Sequence, residues 1–317
     1  MPNCDYIYTR IHSEPASFSP VSGSLYIYGY SPEVRSHLVD ELLQGAGAAH
    51  LSFLKLQSLA GSTVADASTG TTYELRHASA LGDLIRSYQA KTVYIDASGL
   101  ETRICAALLR SVAPLLQTQE VNMMRVVYAE PYTYKIREFC AEGIVHDLAE
   151  RIDGISPLPG FASIVPSMVE DVCFVPLLGF EGGRFTHLLE HVQPDQKNII
   201  PVVGVPGFRP EYPFVSYWGN RRPLCETSSW RNVRYAVANS IVDAFDELAR
   251  IRASRPSQVF KVAPIGTKPH AIGAILFALK HPQDVELVYD NPKREKQRTE
   301  GVGRILDTDV SQLLRDR

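Results

Sequence analysis

The stretch VFKVAPIGTKPHAIGAILFALK, Val259–Lys280, places a strand pattern directly before a helix pattern. A run rich in β-branched residues stops at Pro264, and Gly266-Thr267-Lys268-Pro269 leads at once into the helix. Such a junction suits a bound phosphate. Glycine lets an anion approach the backbone, and the first turn of a helix presents N–H groups and a positive dipole end. Lys268 adds a positive charge. The alternative is a plain turn with a solvent-facing lysine.

The same alternation of strand and helix recurs along the whole chain. Most strand patterns are continuously apolar, which is typical of strands buried on both faces of a parallel sheet. The predicted strands are Leu25–Tyr28, Leu51–Leu56, Thr92–Ile95, Met123–Tyr128, Val172–Leu178, Ile199–Val203, Val259–Val262 and Val285–Tyr289. The predicted helices are Pro32–Leu43, Thr102–Leu116, Phe185–Val192, Val233–Arg250 and Ala271–Leu279. This order predicts an α/β fold.

The two halves of the chain resemble each other. Gly29-Tyr30 precedes His37-Leu38 by the same eight residues that separate Gly179-Phe180 from His187-Leu188. Later in each half, a polar junction and a helix precede a strand that ends in Tyr-x-x-Pro, at 128–131 and 289–292. We interpret this as an internal duplication, although any two Rossmann-like halves would share some of these features.

The predicted architecture is therefore two Rossmann-like, doubly wound, mainly parallel sheets in tandem, related by a pseudo-two-fold axis. The first half is placed at residues 1–158, with an N-terminal extension. The second half is placed at 159–317, with a basic C-terminal loop and tail. The Pro- and Gly-rich segment Gly154–Gly160 is the predicted linker. Two long irregular stretches are expected, at 62–72, as a loop or a loose hairpin, and at 209–223.

Composition narrows the class of protein. The chain has 317 residues, 45% hydrophobic and 21% charged, with a net charge of −3. This describes a folded protein rather than a polycation that binds nucleic acid broadly. Five scattered cysteines favour a reducing compartment over disulfides or a zinc site. No signal peptide and no membrane span are expected, so we predict a cytoplasmic protein without a metal or a resident cofactor.

The candidate ligand-binding residues lie at strand-to-helix junctions. The first-half junction offers Ser98, Gly99, Thr102 and Arg103, because arginine can hold a phosphate through two parallel hydrogen bonds. The second-half junction offers Gly266, Thr267, Lys268 and His270. Gly179 and Arg184, in the glycine-rich segment GFEGGR, form a weaker third group. Lys268 and His270 are also weak candidates for catalysis.

These junctions carry a resemblance to a known family. A strand ending in Asp-x-Ser-Gly at 96–99 or Ile-Gly-Thr-Lys at 265–268, followed by a helix and a strand with a tyrosine turn, resembles the CARF family. These are CRISPR-associated Rossmann-fold sensors of cyclic oligoadenylates. The resemblance covers about the last third of each half. It implies ligand binding between two Rossmann units, a signal passed to a separate nuclease or ATPase effector, and a role in anti-phage defence.

Three functions remain open from the sequence. The first is a nucleotide-binding sensor or regulatory subunit whose ligand is a phosphate-bearing small molecule or an oligonucleotide. The second is a metal-independent phosphodiesterase, similar to the ring nucleases, or another nucleotide-processing enzyme. The third is an interaction subunit without a ligand, docking through the aromatic segment 208–218. Homo-oligomerisation is possible in each case.

The basic segment Asp290–Gly301 is either a solvated loop or a cover over a polyanionic ligand.

Overall fold

The computed structural model describes residues 8–45, 47–135, 149–152, 154–162, 172–294 and 298–315. Two compact units divide the chain. The first unit contains residues 2–134 and 296–317, and the second contains residues 135–295. None of the described helices is both long and apolar enough to cross a membrane.

Residues 9–134 supply most of the first unit. Its strands are β1 (Thr9–His12), β2 (Leu25–Tyr28), β3 (Ser52–Ser58), β4 (Thr63–Asp66), β5 (Thr72–Glu74), β6 (Thr92–Asp96) and β7 (Met123–Tyr134). Its helices in this part are α1 (Leu38–Gln44), α2 (Ala78–Ser87) and α3 (Thr102–Gln117), with 3-10 turns at Pro15–Ser17, Val34–His37 and Ala48–His50.

The second unit has its own set of elements. Its strands are β8 (Ala149–Ile152), β9 (Ser156–Pro157), β10 (Val172–Leu177), β11 (Val202–Gly204), β12 (Arg234–Ala236), β13 (Val259–Pro264), β14 (Val285–Tyr289) and β15 (Pro292–Arg294). Its helices are α4 (Gly182–Val192), α5 (Tyr212–Glu226), α6 (Ile241–Ser254) and α7 (Lys268–Lys280), with 3-10 turns at Gln196–Asn198 and Ser229–Asn232. The chain then returns to the first unit with β16 (Thr299–Asp309) and α8 (Ser311–Arg315).

The sheet of the first unit has a parallel centre and antiparallel flanks. Its described strands run in the order β1-β16-β7-β6-β2-β3-β4-β5. The four central strands β7, β6, β2 and β3 are parallel. All residues of β2 are buried, and eleven residues of α3 are buried. This accounts for the continuously apolar strand pattern, since helices cover these strands and leave no solvated face.

The second sheet has the strand order of a doubly wound, Rossmann-like fold. Its described strands run β12-β11-β10-β13-β14-β9, and the first five are parallel. In chain order the parallel strands are therefore arranged 3-2-1-4-5. The core of this unit includes Phe174, Phe185 and Leu224. The predicted α/β class with two Rossmann-like sheets is confirmed; the pseudo-two-fold relation stays a prediction.

Three local predictions need correction. The stretch at 209–223 is not irregular, because helix α5 occupies residues 212–226. The helix predicted from Val233 begins only at Ile241, after strand β12, where Ser240 accepts a hydrogen bond from the Asp243 N–H. The segment at 290–301 is not simply a loop, since its ends form β15 and the start of β16. Residues 63–74 form the hairpin that the sequence left open.

The predicted domain boundary at 158/159 also differs from the structure. Strand β16 pairs antiparallel with β7 and with β1, so the C-terminal segment completes the sheet of the first unit. Arg125 on β7 and Asp307 on β16 form a buried ion pair with a 2.7 Å separation. Strand β9, inside the predicted linker, pairs with β14 and belongs to the second sheet.

Candidate functional site

The switch point of the second sheet lies between β10 and β13. The chain winds outward from β10 to β12, and then crosses back to β13 on the other side of β10. Ligands of such sheets bind beyond the carboxyl ends of the strands at this point. The loops here are in close contact: a Cβ on Gly266 would lie 2.6 Å from the Leu178 carbonyl oxygen, and one on Gly179 would lie 2.9 Å from that of Ile265. Both glycines are therefore required for loop packing.

Helix α7 begins at the switch point, and its first turn is largely satisfied within the protein. The Thr267 hydroxyl donates to the Ala238 carbonyl at 2.6 Å and accepts the His270 N–H. The Ala271 N–H bonds to the Thr267 carbonyl, and Pro269 has no N–H. The Thr267 hydroxyl, a candidate donor to a phosphate, therefore already gives its proton to a protein group. The anion-binding capacity of this junction therefore depends on Lys268.

Lys268 and His270 are both buried in this first turn. Lys268 is 8% exposed and His270 is 0% exposed. The His270 Nε2 lies 3.1 Å from the Val237 carbonyl, and burial lowers the pKa of the imidazole. A neutral, fully enclosed imidazole cannot meet a ligand or deliver a proton to one. The assignment of His270 as a ligand or catalytic residue is therefore corrected to a packing role.

Arg184 is held by a buried carboxylate. Its Nε and Nη2 donate to the two oxygens of Asp290, each at 2.6 Å, and its Nη1 donates to the Ile265 carbonyl at 2.8 Å. Burial alone would lower the pKa of this guanidinium, but the hydrogen bonds and charge of Asp290 outweigh it and raise the pKa. The predicted anion loop at Arg184 is thus a brace that ties α4 to the ends of β13 and β14.

The first-unit junction has the same glycine contact. A Cβ on Gly99 would collide with the Gly29 carbonyl oxygen, so the loops after β2 and β6 also press together. Ser98 accepts the Ala129 N–H at 2.9 Å, and its own N–H donates to Asp96. Burial raises the pKa of Asp96, although hydrogen bonds from Ser98 and Tyr26 oppose this. Ser98 therefore links the loop to β7.

Arg103 and Thr102 also differ from the prediction. The Arg103 Nε donates to Glu101 at 2.6 Å, and its Nη2 donates to Ser58 Oγ at 2.7 Å and to the Leu59 carbonyl at 2.9 Å. The guanidinium therefore holds the end of β3 rather than an open anion site. Thr102 is 3% exposed. Neither side chain is presented to a ligand in this conformation.

One feature of both junctions was not found from the sequence. Arg35, before α1, donates to the Ala129 carbonyl at 3.2 Å and lies 5.2 Å from the Tyr128 ring centre. Arg184, in α4, lies 6.0 Å from the Tyr289 ring centre. Each unit thus has a buried arginine that joins the helical segment after β2 or β10 to the Tyr-x-x-Pro strand of that unit. The sequence does contain a signal for it: Arg184 follows Gly179 by five residues, and Arg35 follows Gly29 by six.

His37 and His187, the two histidines of the repeated His-Leu pattern, each lie beside a carboxylate three residues later in the chain. The His37 Nδ1 lies 2.9 Å from Asp40, and the His187 Nδ1 lies 3.9 Å from Glu190. In the first unit, Tyr30 stacks on His37 with ring centres 4.7 Å apart and donates its hydroxyl to Asp40. That hydrogen bond lowers the pKa of Asp40. Tyr30, His37 and Asp40 are half-exposed and follow β2, on the carboxyl side of the first sheet.

Helix α5 presents an aromatic surface on the second unit. Phe214 and Trp218 are exposed to 75% and 50%, and Arg221 stacks over the Trp218 ring at 4.2 Å. The hydroxyls of Tyr217 and Tyr235 are 2.8 Å apart. Burial and this contact raise the pKa of Tyr217. The aromatic and arginine side chains of this segment therefore lie on one face of α5, and Tyr235 adds to them from strand β12.

Comparisons with known proteins add little to this description. No family model matches the chain, and no curated protein does. A GDP-L-fucose synthetase from Naegleria fowleri aligns with a TM-score of 0.23 and 9% identity, over 96% of this chain and 80% of that chain. MnaA from S. aureus, in a structure with UDP, aligns with a TM-score of 0.22 and 11% identity, over 89% and 93%. Likenesses of this size carry no argument about function.

Proposed function

We propose that this chain binds a nucleotide-like, phosphate-bearing ligand at the carboxyl ends of the parallel strands of its second unit. The observation that carries the proposal is the 3-2-1-4-5 strand order, with Lys268 placed at its switch point. Ligands of sheets with this strand order bind beyond the carboxyl ends of the strands, where the strand order reverses. The role that fits is a sensor or regulatory subunit.

Lys268 supports the assignment electrostatically. It occupies the first position of α7, where the helix dipole places about half a positive charge. Its ammonium adds a full charge to the same point, and burial reduces the screening of that charge by water. Lys268 is therefore the residue on which binding of an anionic ligand should depend.

The CARF resemblance selects the first ligands to test. It rests on the Gly-Thr-Lys sequence at 266–268, and it implies a cyclic oligoadenylate, an effector such as a nuclease or ATPase, and a role in anti-phage defence. A cytoplasmic location belongs to the same proposal. Cyclic oligoadenylates, their linear forms and mononucleotides form a series that separates recognition of a ring from recognition of a nucleotide.

The test is thermal unfolding with and without each member of this series. A ligand at one hundred times its dissociation constant should stabilise the native chain by about 2.7 kcal/mol. Lys268→Ala should lose this ligand-induced stabilisation. Lys280→Ala, at the opposite end of α7, should keep it and is the matched control. Each shift is taken relative to the unliganded form of the same variant. Equal shifts in both variants would remove Lys268 from the site.

Chromatography of the ligand after incubation separates a sensor from an enzyme. A sensor returns its ligand unchanged, whereas a phosphodiesterase converts it. His270 is fully buried, so an enzyme would need another acid or base. The His37–Asp40 pair is the candidate in the first unit, because the carboxylate orients the imidazole. Loss of conversion in His37→Gln, with retention in His187→Gln, would favour that assignment.

A second candidate function, an interaction subunit, is favoured by the exposed face of α5. Tryptophan, tyrosine and arginine dominate the binding energy of protein interfaces, and Trp218, Tyr235 and Arg221 lie on this surface. A Phe214→Ala/Trp218→Ala variant should then lose co-elution with proteins encoded beside this chain. Size-exclusion chromatography of the co-expressed proteins measures this, with the Lys268→Ala variant as a control that keeps co-elution.

A further inference from the structure

A cavity opens at the edge of the second sheet opposite the switch point. Its volume is about 770 Å³. Ile200 precedes β11, Arg234 begins β12 and Gln258 precedes β13, so the cavity lies at the amino ends of these parallel strands. The end of α6 forms another wall. The complete lining is Ile200, 231–234, Ile251 and 254–258.

The charge of this lining is entirely positive. It contains Arg231, Arg234 and Arg255 and no aspartate or glutamate. Within the described ranges of the chain, none of these three arginines has a carboxylate within 4.0 Å. Arg255 is fixed by neutral groups: its Nη1 donates to Asn198 Oδ1 and Gln258 Oε1, each at 3.0 Å, and its Nη2 donates to the Lys197 carbonyl. The cavity therefore concentrates uncompensated positive charge.

The helix end at the cavity does not cancel this charge. Helix α6 terminates here at Ser254, and the carboxyl end of a helix carries about half a negative charge. Three guanidinium groups carry three full positive charges, so the local field remains strongly positive. Asn232, Ser254, Ser257 and Gln258 add neutral polar groups to the wall.

We propose that this cavity binds a small molecule that carries several phosphate charges, such as a polyphosphate or a phosphorylated metabolite. Guanidinium groups match phosphate oxygens through two parallel hydrogen bonds, and they keep their charge at every physiological pH. The volume lies within the usual range for small-molecule sites. The three arginines line one concave pocket on a chain with a net charge of −3, which favours a compact anion over a long nucleic acid. This site is separate from the one proposed at Lys268.

The experiment titrates inorganic tripolyphosphate into the full chain at low salt and follows heat release. Wild type should bind one equivalent with a saturable curve. Arg231→Gln/Arg234→Gln should weaken binding at least tenfold, and Arg234→Gln alone should weaken it measurably. Arg222→Gln is the matched control: it removes the same charge from an exposed, ion-paired position on α5. The control should bind as wild type does. Because Arg231 and Arg234 are exposed, their replacement should leave the circular dichroism spectrum and the melting temperature unchanged.

Distinct outcomes separate this proposal from the one at the switch point. Tripolyphosphate binding should persist in Lys268→Ala, even if that variant loses all nucleotide binding. Absence of saturable binding would overturn the proposal, and so would equal affinity in wild type and the double variant. A single-stranded oligonucleotide that binds more tightly than tripolyphosphate through the same arginines would also overturn it, by identifying a macromolecular ligand.

Discussion

Buried charged and polar side chains at the strand ends mainly hold loops in place. Arg184 is 6% exposed and Asp290 is 0% exposed, and their two short hydrogen bonds leave neither charge uncompensated. Removing one partner of such a pair is strongly destabilising, because the other stays buried and unpaired. Arg103 also holds a loop in place, since it fastens α3 to the end of β3 through neutral acceptors. An arginine near a glycine-rich turn is thus ambiguous in a sequence, since a phosphate and a carboxylate select it equally well.

His270 gives the protein a defined pH dependence. Burial lowers the pKa of His270 in the native state, whereas the unfolded chain titrates near pH 6.5. The unfolded state therefore binds more protons between the lowered native pKa and 6.5. The contribution to stability is complete above 6.5 and falls as the pH decreases through that window, with a slope of at most about 1.4 kcal/mol per pH unit.

Chemical denaturation of wild type and His270→Gln between pH 7.5 and 5.0 tests this dependence. Glutamine does not titrate and keeps a donor for the Val237 carbonyl. The free energy of unfolding of wild type should therefore fall more steeply below pH 6.5 than that of the variant. Parallel curves for the two proteins would contradict a native pKa below the ordinary value.

At the scale of elements, each unit has two glycines in contact, one in each of the loops that connect two neighbouring parallel strands to the helical segments that follow them. Gly29 meets Gly99 after β2 and β6, and Gly179 meets Gly266 after β10 and β13. The strand arrangement around these pairs is also the same, β3-β2-β6-β7 and β11-β10-β13-β14. Any two doubly wound units share this topology, so the internal duplication inferred from the sequence stays a prediction.

We expect Gly266→Ala to destabilise the second unit by about 1–3 kcal/mol, the usual cost of overpacking. The colliding atoms are the backbone carbonyls of Leu177 and Leu178, which the β10–β11 contact holds in place. Thermal unfolding measures the effect.

Gly183→Ala is the matched control for this substitution. A Cβ at Gly183 meets no atom within 4 Å, and the residue lies in helix α4. Alanine is favoured over glycine in a helix by about 0.5–1 kcal/mol, so this variant should melt at or above the wild-type temperature. A Gly266→Ala variant as stable as wild type would show that the loops can move apart.

Helix α5 shows why some elements escaped prediction. Its sequence YPFVSYWGNRRPLCE, Tyr212–Glu226, contains two prolines and a glycine and has no clear apolar stripe. Pro213 lies in the first turn, where a missing N–H costs nothing, and Pro223 lies in the last. Gly182 of α4 packs directly against the carbonyl oxygen of Gly219, and a Cβ on Gly182 would collide with it. Contact with α4 thus stabilises a segment whose local pattern indicates a loop.

At the scale of the whole molecule, the chain leaves the first unit after Tyr134 and returns to it at Lys296. Strand β16 lies between β1 and β7 in the first sheet. A truncation before Thr299 therefore removes the strand with which β1 pairs and exposes the edge of β7. Exposed strand edges promote aggregation, so we expect a low soluble yield.

Hydrogen exchange on the soluble fraction of this truncation provides the measurement. Amides of β1 and β7 should lose protection, whereas those of β10 and β13, in the second unit, should keep it. Removal of Asp316 and Arg317 alone is the control and should change neither set. Retained protection in β7 after the truncation would contradict the role of β16.

The sequence by itself determined the α/β class, the positions of the main parallel strands and the helix start at Thr102, because the spacing of apolar residues and the chemistry of a strand-to-helix junction are local features. Only the tertiary structure decided that β16 returns to the first sheet, that α5 is a helix, and that His270, Arg184 and Arg103 are committed to internal partners. These outcomes depend on which distant groups meet: Val237 with His270, Asp290 with Arg184 and Ser58 with Arg103. A local pattern shows that a side chain can bind an anion, but the folded chain decides whether a carboxylate or carbonyl already occupies it.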